Sequence, residues 1–229
     1  MNTLTLVVYF SIASLLISAC ALALLRINSR FTDILKKYAS SIAVLLAVVA
    51  VFAFILNDLV GLIPLSQLIT VSLILVIVFA FVNHALSMLR RYLLSLYKQG
   101  RKKEKRRLAQ LGVYAIDLAG GVMAGFVLGC SFLVSVASGI MVALSLSIFL
   151  LTRSFVFAER YRNRFKYSGR RLKIVLLAPL CLVPVVAIAT YLVLSAQIGV
   201  AATYLTIAFA YLLYLAIWQF IFIVKNHQK

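Results

Sequence analysis

Seven apolar stretches, each long enough to cross a bilayer, alternate with short connections, and basic residues occupy only every second connection. The stretches run over roughly 4–25, 40–61, 66–89, 111–133, 137–157, 174–195 and 199–224. A hydrocarbon core of about 30 Å takes about 20 helical residues. Backbone N–H and C=O groups in lipid must be satisfied within their own segment, so each stretch is expected to be a helix. With 65% of the residues hydrophobic and a mean hydropathy of +1.10, a water-soluble domain could not hide this much apolar surface.

The charge sets an orientation. Of 23 Lys and Arg, four lie between Arg26 and Lys37, nine between Arg90 and Arg107, eight between Arg153 and Lys173, and two in the tail at Lys225 and Lys229. Positive connections stay in the cytoplasm. Seven spans with the N-terminus outside and the C-terminus inside satisfy this rule, whereas six or eight would put basic segments on both sides. The whole chain, 1–229, reads as a single all-α polytopic transmembrane bundle. Its basic cytoplasmic loop, 90–110, is expected to be solvated or laid on anionic headgroups. Residues 4–25 lack a basic leader and precede positive charge, so they read as a span rather than a cleaved signal. No stacking platform or base-reading motif accompanies the formal charge of +18, so nucleic acid is not an expected partner. Short connections and the lack of an organelle signal point to a prokaryotic inner membrane. Cys20, Cys130 and Cys181 are scattered through apolar segments and read as buried hydrophobes.

The fourth span carries the most pattern. Gly121, Gly125 and Gly129 recur every four residues and share one helix face, widened by Gly120 and Ala124, a surface that lets another backbone come close. In the fifth span, Gly139, Ala143 and Ser147 repeat the spacing, and the short turn joining the two helices makes contact between these faces the natural expectation. Short outer turns likewise make spans 2 and 3, and spans 6 and 7, antiparallel neighbours. Asp117 is the only acid well inside a span, and an intramembrane carboxylate is a functional candidate by default. It either lines a pathway or pairs locally with Arg107 or an arginine of the next inner loop. Asn83 and His84 near the inner end of span 3 are further pathway candidates, as are Met123, Cys130, Ser131 and Ser147. Pro184 is expected to kink span 6. The spans hold no carboxylate pair, no His–Glu pair at helical spacing and no Ser–His arrangement, so no enzymatic activity is expected and no cofactor is implied.

Small-residue order along the chain resembles that of the ZIP family of divalent-metal transporters. The segment GGVMAGFVLG (120–129) is similar to the family's fourth-helix motif HNxxDGLAIG, with Gly125 and Gly129 in the places of its two glycines. ASGIMVALSLSIFL resembles the start of the fifth helix, the stretch from Phe10 to Ile55 the first hairpin, and AFAYLLYLAI the seventh helix. The resemblance implies a ZIP-like bundle, here without the family's eighth helix, and a divalent metal as transported ion. The positions where it implies metal ligands are Gly120, Gly121, Ala124, Phe149 and Arg153, which supply no carboxylate or imidazole. Two functions follow as expectations. One is transport of a metal or other small solute through a remodelled path between spans 4 and 5. The other is a non-transporting scaffold that binds other membrane proteins or a second copy of itself.

Overall fold

Helices account for nearly all of the described backbone. The structure, a computed structural model, describes residues 3–24, 42, 45, 48–49, 60–61, 63–99, 103–167, 169–196 and 201–227. Among these residues there is no strand. Helices with described bounds are α1 (Thr3–Leu24), α2 (Leu65–Gln99), α3 (Lys103–Val134), α4 (Val136–Asn163), α5 (Gly169–Ser195) and α6 (Ala201–His227). They correspond to the first and the third to seventh apolar stretches. The second stretch, 40–61, and the connections around it lie almost wholly outside the described residues. Helices within 65–99, 104–134 and 172–195 are long and apolar enough to cross a membrane; α1, α4 and α6 contribute shorter apolar helices.

The basic connection from 98 to 110, expected as a loop, is helix over most of its length. α2 continues to Gln99 and α3 already begins at Lys103. The reason is local: Lys, Glu, Arg, Leu, Ala and Gln are all good helix formers, and two long helices propagate through them. At about 1.5 Å per residue, α2 is about 52 Å long, well beyond one hydrocarbon thickness. The excess length carries the basic residues at the adjoining ends of α2 and α3. At the opposite end, α3 and α4 are separated by Ser135 alone. Its extended backbone (φ −158°, ψ 158°) breaks the helix, and its Oγ accepts the Ser138 N–H at 3.2 Å, capping α4.

α3 is the hub. Its largest interface is with α5, and it also meets α4, α2 and α6; α1 lies across α4 and α5. α6 packs on α2 and α3, and among the described residues it makes no extended contact with α5, so there spans 6 and 7 are not the neighbours that their short turn suggested. The main core joins Val127 and Leu128 of α3 to Leu146 of α4 and Leu212 of α6. A second, aromatic-rich core closes the basic end around Val113, Phe157, Tyr161, Phe165 and Leu176. Pro179 and Pro184 both lie inside the continuous α5. Each leaves one carbonyl, four residues back, without its helical N–H partner.

The glycine face of α3 meets α5, not α4, which corrects the expected pairing. A Cβ on Gly125 would lie 2.6 Å from the Val183 carbonyl oxygen and 2.8 Å from the Val186 Cβ. On Gly129 it would lie 2.6 Å from the Ala187 oxygen and 2.8 Å from the Thr190 Cβ, and on Gly121 it would run into the Pro179 oxygen. The register advances by four residues on both helices, as parallel packing requires. Chain neighbours run antiparallel, so a parallel partner has to come from two spans away. Shape explains the choice as well. The branched side chains of Val186 and Thr190 on α5 also close against Gly125 and Gly129. Gly139 instead sits against the Phe132 ring.

Replacing Gly125 with Leu is therefore expected to cost about 3 kcal/mol or more, because the obstruction is backbone that cannot turn aside. Gly112→Ala meets only the flexible end of Leu93 and is expected to cost less than about 1 kcal/mol. Thermal unfolding of the two variants in the same detergent measures the difference.

Candidate functional site

Asp117 is where the bundle gathers its charge. One helical turn from Gly121, it points away from lipid, and its side chain is 0% exposed. Arg90 Nη2 of α2 donates to Oδ1 at 2.9 Å. Arg160 Nη1 of α4 reaches both oxygens at 3.3 Å. The Tyr161 hydroxyl donates to Oδ2 at 3.0 Å. α2 and α4 are thus both tied to one carboxylate of α3. Burial and the adjacent Asp117 charge push the Tyr161 phenol up, so it stays protonated and donating across the neutral range.

The geometry accounts for the tolerance of charge at this depth. The arginine side chains are 25% and 17% exposed, so each keeps part of its hydration while its guanidinium reaches inward. Arg160 also sits over the Phe157 ring at 5.3 Å, a cation–π contact. The partners are Arg90 and Arg160, not Arg107, which lies more than two turns further along α3 and is exposed. Reading depth would have found both: Arg90 ends the apolar run of α2, and Arg160 follows that of α4.

A narrow pocket opens beside the carboxylate, lined by Asp117 and Gly121 of α3, Ser154 and Phe157 of α4, and Leu176 and Pro179 of α5. It has room for about one water molecule. The other pathway candidates do not reach it. Cys130 and Ser131 lie about 20 Å further along α3, and the Ser131 hydroxyl donates to the Leu128 carbonyl at 2.8 Å. Ser147 is as far from Arg160 along α4, and its hydroxyl donates to the Ala143 carbonyl at 2.6 Å. Met123 is half-buried, Asn83 is half-buried and His84 is exposed on α2. Arg160 is an arginine of the next inner loop, one of the two kinds of partner expected from the sequence; Ser154, Arg90 and Tyr161 are the members that sequence reasoning did not single out.

Among the described residues no three His, Cys, Asp or Glu side chains come together. Asp117 already faces two guanidinium groups, and these would repel a cation. Gly121 and Ala124, at the family's ligand positions, are buried against neighbouring helices.

Removing the carboxylate leaves two cations facing one another at a partly buried site. Asp117→Ala is expected to destabilise the protein by about 3–5 kcal/mol. The double variant Asp117→Asn with Arg160→Gln is expected to recover part of that loss, and denaturant titration in micelles reads both. Comparison with family models, with curated proteins and with solved structures finds no match to this chain. What stands is its class: among the described residues it is all-helical, with three helices long and apolar enough to cross a membrane.

Proposed function

We propose that this chain is a seven-span protein of a prokaryotic inner membrane, N-terminus outside and C-terminus inside, that acts as a scaffold and passes no solute. The observation that carries this reading is the separation of its polar groups. Ser131 and Ser147 each bond to their own helix, and Asp117 is engaged by Arg90, Arg160 and Tyr161. A conducting path needs such groups to face one shared aqueous cavity. The glycine face that could have widened into one is filled by α5 backbone. That face is consumed inside the chain, so the basic inner end is the working surface that remains. The proposed relation to ZIP transporters extends to bundle architecture and not to a metal site.

A remodelled transport path is the second reading, and the pocket at Asp117 is the observation in its favour. Uptake into proteoliposomes tests both, with a panel of divalent metals and small solutes and with Asp117→Ala alongside the parent. Uptake no faster than in protein-free vesicles is the expected result. Uptake that Asp117→Ala or Ser154→Leu abolishes would overturn the scaffold reading.

A further inference from the structure

From residue 160 to 173 the chain carries seven basic residues and no acid. The segment joins α4 to α5. Arg162, Arg164, Lys166, Arg170 and Lys173 are all exposed.

This connection is not a loose loop. Phe165 is buried, with its ring edge-on to Tyr97 at 4.9 Å, and the Tyr161 and Tyr167 rings stack at 6.0 Å. The Tyr167 N–H donates to the Tyr161 carbonyl at 3.1 Å, and Lys166 is held at φ 53°, a left-handed conformation that lysine rarely adopts. Residues 161–167 are thereby packed on an aromatic base, and five exposed cations, Arg162, Arg164, Lys166, Arg170 and Lys173, crowd this end of α4 and α5. They repel one another, and an anion that bridges them removes that repulsion without the cost of ordering a loop.

Depth identifies the anion. Asp117 lies 17 residues from the far end of α3, a rise of about 26 Å, so the Arg90–Asp117–Arg160 layer marks the inner edge of the hydrocarbon. Arg162 is two residues beyond Arg160. Lys173 is level with it, being six residues before Pro179, which opposes Gly121. Arg162, Arg164 and Lys173 stand about 3–6 Å above the apolar edge and Arg170 about 8 Å, where lipid phosphates lie. Lys98, Lys105, Arg106 and Arg107 stand about 12–18 Å above it, past the level of the phosphates.

We propose that the α4–α5 turn is a binding site for the phosphate of anionic phospholipid headgroups, and that the hairpin tip of α2 and α3 is not. The inference rests on the proposed orientation only for which leaflet supplies the lipid. The test below does not depend on leaflet or on transport, so its failure and that of the proposed function are separable.

The protein is reconstituted in nanodiscs of phosphatidylcholine alone and of phosphatidylcholine with one quarter phosphatidylglycerol. Thermal unfolding and the number of phosphatidylglycerol molecules retained in native mass spectrometry are read together. Phosphatidylglycerol is expected to raise the melting temperature of the parent. The variant R162Q/R164Q/K166Q/R170Q/K173Q should lose that rise and retain about tenfold less anionic lipid, whereas K98Q/K105Q/R106Q/R107Q keeps both. Inorganic phosphate added to phosphatidylcholine discs should not reproduce the effect. If the fivefold variant does not fold, R164E alone is used and is expected to cut retention by at least half. Full retention by the turn variants, equal loss in the tip variant, or an equal rise with free phosphate would each overturn the proposal.

Discussion

Carbonyl oxygens of Pro179, Val183 and Ala187 fill the volume where side chains would stand at Gly121, Gly125 and Gly129. In lipid there is no hydrophobic force between helices, so this close approach, with its dispersion and Cα–H contacts, is what holds α3 to α5. Much of the architecture follows from it. Once α3 is committed to α5 on one face, α4, α2 and α6 share what remains, and α1 covers the α4–α5 side. The same seam fixes the height of Asp117 relative to Pro179 and so places the carboxylate at the level of Arg90 and Arg160.

The carboxylate cluster adds specificity to packing that is otherwise smooth. A glycine groove can slide by one turn along a ridge at small cost. A carboxylate bonded by groups from α2 and α4 cannot, because a slip of one turn, about 5.4 Å, would leave it unpaired next to lipid. The aromatic base around Tyr161 and Phe165 extends this fixed register into the α4–α5 connection. The basic end is thereby a structured surface, in contrast to the solvated loops that usually join membrane helices.

The apolar runs and the spacing of the charges made the class of the protein legible, and the four-residue repeat made the close-packing face of α3 legible. The partner of that face was not, because periodicity within a helix says which residues share a side and nothing about which neighbour fills it. The ridge of Val183, Val186 and Thr190 on α5 carries no motif; it is recognisable only once parallel running is known. Arg90 looked like topological charge because it stands at a span end, and Arg160 was expected only as one of several arginines of its loop; their common depth with Asp117 sets both apart. The helix through Lys105–Gln110 was masked by its charge, although its residue types favour helix. The left-handed turn at Lys166 has no sequence signal, since glycine is the residue that normally marks it.

The account depends most on the interior of this bundle being closed to water along α3 and α4. In a background with Cys20, Cys130 and Cys181 replaced, single cysteines at Ala124, Ser147 and Lys105 can be exposed to a charged, membrane-impermeant maleimide from either face of sealed vesicles. The account requires modification at 105 from one face only and none at 124 or 147 from either. Reaction at 124 or 147 at a rate comparable to that at 105 would contradict it.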